Sequence, residues 1–514
     1  MEQFSKKEYL CLPVPTDDDS VSDQLRLQLA LETRGYENVV VPLHVLQQLY
    51  PLCREAEFCV TVTLVHRETE WVITNVQAGD QCRHHYGLAV DYGSTTIVMQ
   101  LVDFNSGAVV GQVSAVNGQV AYGTDILSRI TWVMEERSRA EELQAATVDT
   151  FRQLLEQMTE QTGIAAQDCP LMVLSGNTTM IHFLLKLDAW TVFASPYAPV
   201  TTDPGFFWGR ELNMPFSGLV YMVPSASNYI GGDIVSGLMK LELQKNEKTC
   251  LFFDIGTNGE LVIGNQDWIL AGAGAAGPAL EGYISRFGMR AAPGAIDRVK
   301  IQKDSLRFTT IGGQKPVGIC GSGIIDLIAQ MRLNKWLDIA GELNPTASSR
   351  IRYIEEEQQY AAVYAGEEES ATGQPLYFSQ TDIHQYLDTK AAAYTMIECL
   401  LENAGISVEE LDKCYLSGAF SAHSDLESAI TVGIFPDLPR EKFVCIPNTS
   451  LEGARALLLD WEKQQAAKKL SRELYCVQFA SVPDFLVRMQ GAKFIPHTDM
   501  SRYPSVAQKL RESQ

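Results

Sequence analysis

Residues 88–96 read LAVDYGSTT, and residues 250–260 read CLFFDIGTNGE. In each stretch an apolar strand ends at an aspartate, Asp91 or Asp254, and a glycine-containing turn with hydroxyl side chains follows. Glycine lets the backbone approach a ligand closely, and consecutive turn amides beside a hydroxyl bind phosphate oxygens. The aspartate can hold Mg²⁺ or its water ligands. The repetition predicts two strand–turn–strand hairpins that clamp a nucleotide triphosphate from both sides.

A pair of such turns resembles the two phosphate loops of the actin, sugar-kinase and Hsp70 ATPase superfamily (ASKHA). The resemblance implies an α/β fold in which one ASKHA subdomain is duplicated and ATP lies in the cleft. It also implies a third segment, a strand followed by a small-residue turn that packs on the adenosine. Residues 415–420, YLSGAF, fit this description, because Gly418 and Ala419 leave room for a sugar and a base.

The composition excludes several classes of protein. The 514 residues include 41 basic and 63 acidic side chains, and the net charge of −22 disfavours binding to nucleic acid. No apolar stretch approaches the ~20 residues that span a bilayer, and none follows the N-terminal Lys6 and Lys7. We therefore expect a cytoplasmic protein without a membrane partner.

The eleven cysteines are expected to be thiols, because intracellular chains rarely form disulfides. None has the Cys-x-x-Cys spacing of a zinc or iron–sulfur site, so no iron–sulfur cluster is predicted. Cys53, Cys59 and Cys82, with His84 and His85, leave a metal-binding group open. Buried or incidental cysteines are the preferred interpretation.

Sequence patterns divide the chain into four segments. Residues 24–86 combine a helical pattern with two strand patterns and predict a small α/β domain. A helix is predicted over 126–136 with Asp125 as its N-cap candidate, and the acidic residues 355–374 are expected to form an exposed excursion. The predicted boundaries are 1–23 for a polar leader, 24–86 for the small α/β domain, 87–247 for the first ASKHA subdomain and 248–514 for the second.

Three further segments have features of ligand-binding sites. Residues 175–179, SGNTT, open a helix after a strand, with a capped turn as the equal alternative. Residues 318–323, GICGSG, also enter a helix, and phosphate contact by the last three of them is the favoured interpretation. Asp233 opens another helix, where it either holds Mg²⁺, positions the attacking water or serves only as an N-cap.

The motifs DYGSTT, VAYGTDILSRI, SGNTTM, DIGTNGEL, AAGPALEG, GICGSGIID, LSGAF and PNTSLEGA occur in this order. Together, over about residues 8–500, they resemble the reductive activators of corrinoid proteins. These ATPases return a cobalamin-binding protein from Co(II) to Co(I). The resemblance implies ATP and Mg²⁺ as cofactors and the corrinoid protein of a methyltransferase system as the partner. It places phosphate and Mg²⁺ at Asp91, Ser94, Thr95, Asp254, Thr257 and Asn258.

The candidate site residues follow from these motifs. The catalytic candidates are Asp91, Asp254, Glu260 and Asp233, and Asp91 and Asp254 are expected to hold Mg²⁺ through water. The residues expected to line ATP are Gly93, Ser94, Thr95, Thr96, Gly256, Thr257, Asn258, Gly259, Gly321, Ser322, Gly323, Gly418, Ala419 and Phe420. The loop expected to face the corrinoid partner contains Ala275, Ala276, Gly277, Pro278 and Glu281.

The sequence departs from the resembled family in two respects. Many family members begin with a [2Fe–2S] ferredoxin-like domain, whose Cys-x₄-Cys-x₂-Cys spacing is absent here. We therefore expect electrons to come from a separate donor, a ferredoxin or a flavodoxin-like protein. Ala275 and Ala276 stand where relatives often have a serine or cysteine, so these two positions offer cobalt no side-chain ligand. The oligomeric state, including a homodimer, is left open.

Three alternatives remain. A small-molecule kinase on the same fold needs a carboxylate base beside a substrate hydroxyl, for which Asp233 is the candidate. A nucleotide-dependent binding or assembly protein would turn ATP over slowly. An ATP-dependent activator of another low-potential metalloenzyme would share the nucleotide site and differ in its partner.

Overall fold

The structure, a computed structural model, describes residues 3–256, 258–274, 282, 284–302, 304–418 and 424–512. It divides into two compact units. The first unit contains residues 1–242 together with 449–474, and the second contains residues 243–448 together with 475–514. The chain therefore returns to the first unit for one short segment near its C-terminal end.

Along the described chain, runs of consecutive strands are separated by one or two helices. The strands are β1 (Ser5–Cys11), β2 (Val39–Val40), β3 (Cys59–Arg67), β4 (Glu70–Ala78), β5 (Tyr86–Tyr92), β6 (Thr96–Asp103), β7 (Val109–Val116), β8 (Leu171–Gly176), β9 (Gly205–Trp208), β10 (Leu219–Met222), β11 (Cys250–Ile255), β12 (Gly259–Gly264), β13 (Ile269–Gly274), β14 (Ala295–Gln302), β15 (Ser305–Thr310), β16 (Gly318–Ile319), β17 (Ile351–Ile354), β18 (Gln359–Ala365), β19 (Leu376–Ser379), β20 (Lys413–Ser417), β21 (Phe443–Ile446) and β22 (Tyr475–Val477).

The helices are α1 (Asp23–Glu32), α2 (Leu43–Glu55), α3 (Ile126–Glu135), α4 (Arg139–Thr162), α5 (Thr178–Leu184), α6 (Trp190–Phe193), α7 (Gly232–Leu241), α8 (Gly321–Leu333), α9 (Gln380–Ala404), α10 (Leu426–Val432), α11 (Thr449–Leu459), α12 (Trp461–Glu473), α13 (Phe485–Ala492) and α14 (Pro504–Glu512). Within the described part of the chain, none of these helices is both long enough and apolar enough to cross a membrane.

A four-stranded sheet in the order β1-β3-β4-β2 begins the first unit, and α1 and α2 contribute to its core. Strand β1 pairs with β3 along its whole length, antiparallel, from Ser5 to Cys11. Residues 5–11 thus form a strand where the sequence suggested only a polar leader over 1–23. The sequence does not show this strand clearly, because Lys6, Lys7 and Glu8 are charged and none of the three is fully buried.

The second sheet of the first unit has the order β7-β6-β5-β8-β10-β9. Strands β5, β6 and β7 form an antiparallel meander, and β8 and β10 continue the sheet parallel to β5. Helix α4 packs its apolar side, including Phe151, into the core beside Val90, Met99 and Leu174. Because β5 lies inside the sheet and is buried, its sequence is an almost continuous apolar run.

Helices α11 and α12 come late in the chain but belong to the first unit, whereas the sequence placed them in a second subdomain over 248–514. Helix α11 approaches α7 so closely that a Cβ added at Gly453 would lie 1.9 Å from the backbone oxygen of Ser236. The side chains of Leu457 and Leu458 are fully buried. A helical pattern does not reveal which half of a duplicated fold a helix covers.

The large sheet of the second unit has the order β21-β20-β11-β12-β13-β22. Strands β11, β12 and β13 form an antiparallel meander, and β20 and β21 run parallel to β11. The run β13-β12-β11-β20-β21 therefore repeats the run β7-β6-β5-β8-β10 of the first unit. This repetition confirms the predicted duplicated α/β fold.

Two three-stranded sheets, β15-β14-β16 and β17-β18-β19, complete the second unit. The core of this unit gathers around α8 and α9, with Trp336 and Phe378 fully buried. Residues 355–374 do not form a wholly exposed excursion, because β18 lies within them and its residues 361–365 are buried. The acidic residues on both sides of β18 dominate the composition of this segment and conceal the strand.

Cys11 and Cys59 form a disulfide, so the expectation that every cysteine is a thiol is wrong. The two residues are directly paired where β1 and β3 meet, with their Cα atoms 4.1 Å apart. Cys59 is therefore not available for the metal group considered with Cys53 and Cys82. Among the described residues, no group of three or more His, Cys, Asp or Glu side chains has the arrangement of a metal site.

Candidate functional site

The first predicted turn connects β5 to β6. Asp91 lies one residue before the end of β5, where it pairs with Val98 of β6 on one side and Ser175 of β8 on the other. A Cβ added at Gly93 would lie 2.5 Å from the backbone oxygen of Thr96, so the turn closes too tightly for any other residue. The carboxylate of Asp91 thus lies at the strand end that the sequence predicted.

A polar network supports this turn. The side-chain amide of Asn117 donates to the backbone oxygen of Gly93 at 3.0 Å, and its backbone N–H donates to that of Thr95 at 2.8 Å. Gln119, two residues further, donates to the phenol oxygen of Tyr92 at 3.4 Å. Complete burial raises the pKa of Tyr92 well above its usual value, so the phenol stays neutral. The turn is therefore held from behind by Asn117, while Gln119 contacts both Tyr92 and the buried guanidinium of Arg129.

Three buried serines link Asp91 to two helices and a strand. The Ser450 hydroxyl, in the first turn of α11, lies 2.8 Å from Oδ1 of Asp91 and 2.9 Å from the hydroxyl of Ser175. The Ser175 hydroxyl in turn lies 2.6 Å from that of Ser236 on α7. A carboxylate accepts and cannot donate, so Ser450 donates its proton to Asp91. The sequence-based prediction missed this contact because 359 positions separate the two residues.

The second predicted turn connects β11 to β12. Asp254 pairs with Glu260 of β12 on one side and Ser417 of β20 on the other. The backbone N–H of Gly256 donates to the backbone oxygen of Asn258 at 2.9 Å and closes the turn. Like charges that lie directly opposite on antiparallel strands destabilise the pair, so a cation near Asp254 and Glu260 would be favoured.

In each hairpin, a glycine at the end of the neighbouring strand packs closely against the backbone. Gly176 follows Ser175, and Gly418 follows Ser417, at the ends of equivalent strands. A Cβ added at Gly176 would lie 2.9 Å from the backbone oxygen of Tyr92, and one added at Gly418 would lie 2.3 Å from that of Ile255. In both units the residue whose oxygen is approached directly follows the aspartate. The structure therefore brings the predicted adenosine turn, at Gly418, against the second phosphate turn.

The glycine-rich entry of α8 has a packing reason of its own. A Cβ added at Gly323 would lie 2.4 Å from the backbone oxygen of Ile296 in β14. The thiol of Cys320 lies 3.3 Å from the same oxygen. Gly282 approaches the backbone nitrogen of Gly321, since a Cβ added there would lie 3.2 Å away. Close packing thus accounts for Gly323, and phosphate contact by Gly321, Ser322 and Gly323 stays a prediction.

Asn177 and Asp233 lie at the starts of neighbouring helices. Oδ1 of Asn177 accepts from the backbone N–H of Met180 at 2.9 Å, so residues 175–179 form a capped turn. Oδ1 of Asp233 accepts from the backbone N–H of Ile234 at 2.9 Å in the first turn of α7. Gly231 lies between them, because a Cβ added to it would be 2.5 Å from Cα of Asn177.

The remaining predicted residues divide into accessible and undescribed positions. Ser94 and Thr95 are half-buried, and Thr96 and Asn258 are exposed, so a ligand can reach them. Gly256 is half-buried and Gly259 is buried within its strand. Outside the described residues lie Thr257, Ala275, Ala276, Gly277, Pro278, Glu281, Ala419 and Phe420.

The donor set at both strand ends suits Mg²⁺ with a nucleotide. Mg²⁺ prefers oxygen ligands and is usually held by one or two carboxylates together with substrate phosphates, not by an all-protein cage. Asp91 and Asp254 supply carboxylates, and the described residues include no larger metal-binding group. The turn at Gly93 offers backbone amides and the hydroxyls of Ser94 and Thr95 to phosphate. These residues therefore fit Mg²⁺-ATP.

Three sequence profiles match the chain in consecutive order. They describe the RACo linker region over residues 1–83, the RACo middle region over 86–246 and the C-terminal domain of RACo, the ASKHA domain, over 248–507. The chain belongs to the RACo family. The reported boundaries fall close to the sheet changes seen in the structure, since the four-stranded sheet ends at Ala78 and β11 starts at Cys250.

Relatives with assigned activities carry related descriptions. The chain is 30% identical to the corrinoid activation enzyme RamQ of Eubacterium limosum over 426 residues, 81% of this chain and 71% of that protein. It is 24% identical to the [Co(II) methylated amine-specific corrinoid protein] reductase of Methanosarcina barkeri over 277 residues, 50% of this chain and 47% of that protein. A solved reductive activator for corrinoid,iron-sulfur protein superposes with a TM-score of 0.88 at 34% identity, covering 98% of this chain and 81% of that one.

Proposed function

We propose that this RACo-family protein is an ATPase that assists the reduction of a corrinoid protein from Co(II) to Co(I). The observation that carries the proposal is the repeated hairpin, with Asp91 and Asp254 at equivalent strand ends, in a chain of this family. The substrate of the reduction is the cobalt of a partner protein from a methyltransferase system. One electron from a separate donor enters the cobalt, and ATP reacts with water to give ADP and phosphate.

We assign the candidate residues the following roles. The backbone amides of the turns at Gly93 and Gly256 bind phosphate oxygens, and Gly418 leaves space for the adenosine. Asp91 and Asp254 bind the waters of Mg²⁺, which neutralises phosphate charge and orients the nucleotide. Glu260 and Asp233 are the further carboxylates available to position the attacking water. Ser94 and Thr95 add hydroxyl contacts to phosphate.

The partner contacts are also part of the proposal. The loop with Ala275, Ala276, Gly277, Pro278 and Glu281, outside the described residues, is our candidate for contact with the corrinoid protein, because most of its side chains are small and permit close approach. Ala275 and Ala276 offer cobalt no side-chain ligand. Electrons come from a separate donor of low potential, a ferredoxin or a flavodoxin-like protein.

The energy required of such a protein is within the range of protein contacts. Each ~59 mV in the potential of a one-electron couple changes the equilibrium tenfold, about 1.4 kcal/mol. Raising the Co(II)/Co(I) potential by ~0.2 V therefore requires roughly 5 kcal/mol of differential binding between the two cobalt states. Inverting a 1:99 population requires about 5.5 kcal/mol. ATP binding and hydrolysis then have to switch the protein between two conformations that differ in their affinity for the Co(II) form.

The rate of ATP hydrolysis, measured without oxygen, tests this proposal. The partner would be added in its Co(II) form and, as a matched control, in its methylated Co(III) form. We expect only the Co(II) form to increase the rate. A rate that neither form changes would contradict corrinoid activation, and phosphate transfer from ATP to a small-molecule hydroxyl would support a kinase instead.

A further inference from the structure

The hydroxyls of three serines form a chain of hydrogen bonds that ends at the carboxylate of Asp91. Ser175 and Ser236 are fully buried, and Ser450 is 6% exposed. The hydroxyl of Ser236 lies 2.6 Å from that of Ser175, which lies 2.9 Å from that of Ser450, which lies 2.8 Å from Oδ1 of Asp91. Each hydroxyl has one proton to donate, whereas the ionised carboxylate has none.

The direction of the last hydrogen bond is therefore fixed. Ser175 and Ser236 have backbone oxygens within reach as alternative acceptors, at Gly232 and Asp233 respectively. Ser450 donates to Asp91 in either arrangement, and its oxygen is left to accept the proton of Ser175. Hydrogen bonds in such a chain polarise one another, so the bond to the carboxylate is strengthened when Ser175 donates along the chain.

A hydroxyl donor has a different effect on the carboxylate from a lysine or an arginine. It restricts the rotation of the Asp91 side chain and brings no positive charge of its own to the carboxylate. The chain that ends at Asp91 draws its serines from three elements, namely Ser175 from β8, Ser236 from α7 and Ser450 from α11. The orientation of the carboxylate is thus tied to the packing of α7 against α11.

We propose that Ser450 is a positioning residue that holds the Asp91 carboxylate in the orientation that binds Mg²⁺ with the nucleotide. Ser175 and Ser236 support it from behind. The inference rests on the proposed function, in which Asp91 binds the waters of Mg²⁺. It adds a residue of the PNTSLEGA motif, in which no candidate site residue was predicted from the sequence.

The test compares nucleotide affinity with and without the cation. Binding of a fluorescent ADP analogue to the full chain would be measured across Mg²⁺ concentrations and in EDTA. Ser450→Ala is expected to raise the Mg²⁺ concentration for half-maximal binding about tenfold and to change the affinity in EDTA less than about twofold. Ser450→Thr, which keeps a hydroxyl, restores most of the Mg²⁺ response. Ser175→Ala gives a smaller shift of about two- to threefold.

A matched control lies in the second unit. Ser428 is also buried in the first turn of a helix, and its side chain helps to hold down the pKa of a nearby carboxylate, that of Asp326. Ser428→Ala removes a buried hydroxyl of the same kind and is expected to leave the Mg²⁺ response unchanged. Equal losses of affinity in Mg²⁺ and in EDTA for Ser450→Ala would indicate general loosening and would overturn the inference.

Asp91→Asn separates this inference from the proposed function. If Asp91→Asn loses the Mg²⁺ response and both Ser450→Ala and Ser175→Ala keep it, the positioning role is overturned and the proposed function stands. If Asp91→Asn itself keeps the wild-type response, the metal role of Asp91 fails and the inference fails with it. Loss of the response in Asp91→Asn, together with the graded shifts in the serine variants, supports both.

Discussion

The hairpins at Asp91 and Asp254 occupy equivalent positions in the two units, yet their carboxylates have different neighbours. Across the hairpin, Asp91 pairs with an apolar residue, Val98, whereas Asp254 pairs with a second carboxylate, Glu260. Asp91 also receives the hydroxyl proton of Ser450 from α11. The duplicated sheet thus fixes where each aspartate lies, and the surrounding side chains decide what each carboxylate can do.

We therefore expect the two aspartates to have different roles in the proposed ATPase. A carboxylate held by a hydroxyl keeps one orientation and suits a cation that requires near-ideal geometry, as Mg²⁺ does. Two carboxylates on directly paired residues suit a role in which they interact both with a cation and with an attacking water. The predictions below test whether the two hairpins differ in this way.

The largest effect is expected from Asp254→Asn and Asp91→Asn. Each replacement removes a negative charge and keeps the shape of the side chain, so the fold should persist. We expect the rate of ATP hydrolysis to fall by about 10²–10³-fold in both variants, as when one positioned electrostatic group is removed from an active site. Initial rates of phosphate release check this. Normal hydrolysis by Asp254→Asn would remove the central role given to the second hairpin.

The next effect concerns the glycines that follow the two serines. Ala at Gly418 would place Cβ 2.3 Å from a backbone oxygen at a φ of +91°, whereas Ala at Gly176 meets its oxygen at 2.9 Å. We expect Gly418→Ala to lower the free energy of unfolding by about 3 kcal/mol, from overlap and from strain at positive φ. Gly176→Ala is expected to cost about 1–2 kcal/mol. Urea unfolding would measure both.

Gly373 provides the control for backbone strain alone. It also has a positive φ, of +70°, but an added Cβ there would meet nothing within 4 Å. Gly373→Ala is therefore expected to cost only about 1 kcal/mol. If Gly418→Ala cost no more than Gly373→Ala, the close approach between the adenosine turn and β11 would be wrong.

A pH effect is expected from His85, which directly precedes β5 in the first unit. Its Nε2 is hydrogen-bonded to the hydroxyl of Ser5 at 2.9 Å, and the same hydroxyl lies 2.9 Å from the backbone oxygen of Leu64. Burial, helped by the charge of Lys7, lowers the pKa of His85 from 6.5 to about 3. Below about pH 6.5 the unfolded chain therefore binds a proton at His85 that the folded chain does not bind. The free energy of unfolding decreases as pH falls from about 6.5 towards 3.

Between pH 7 and pH 5 this single histidine should account for about 2 kcal/mol of lost stability. His85→Gln retains a donor for Ser5 and does not titrate, so its stability should decline less over that interval. Parallel urea titrations of both proteins at pH 5, 6 and 7 give the difference. Identical pH profiles would show that His85 is protonated in the folded protein.

The smallest effect concerns the ion pairs that α12 makes with Glu68 and Asp203 within the first unit. Lys468 lies 2.9 Å from Glu68 and 3.4 Å from Asp203. Lys468→Met is expected to lower the free energy of unfolding by less than about 1 kcal/mol, which lowers the melting temperature only slightly. In 0.5 M salt this difference should disappear. Lys469→Met, at a more exposed position, is the control and should have no effect. A larger loss that persists in salt would indicate a buried role for Lys468.

Local features of the fold could be predicted from the sequence. The apolar runs before Asp91 and Asp254 predicted strands that the structure places at 86–92 and 250–255. Asp125 was predicted to cap a helix, and its side chain accepts from the backbone N–H of Ser128 at 2.8 Å. These predictions succeed because the interactions involve residues that are close in sequence.

Contacts between distant residues could not be predicted in the same way. Ser450 and Asp91 are 359 positions apart, and a serine at the start of a helix is more often read as a cap. The pairing of Cys11 with Cys59 depends on the register of β1 against β3, which no local pattern determines. The return of α11 and α12 to the first unit likewise depends on tertiary packing. Ser450, the residue added to the candidate site, belongs to this class.

The optical spectrum of the corrinoid partner tests the central proposal most directly. The purified protein would be mixed, without oxygen, with a Co(II) corrinoid protein from the same cell, a low-potential reductant and Mg²⁺-ATP. The proposed function predicts that the Co(I) band grows only when ATP is present and that Asp254→Asn does not support this growth. Hydrolysis of ATP without any Co(I) band would contradict corrinoid activation and leave an ATPase with another partner.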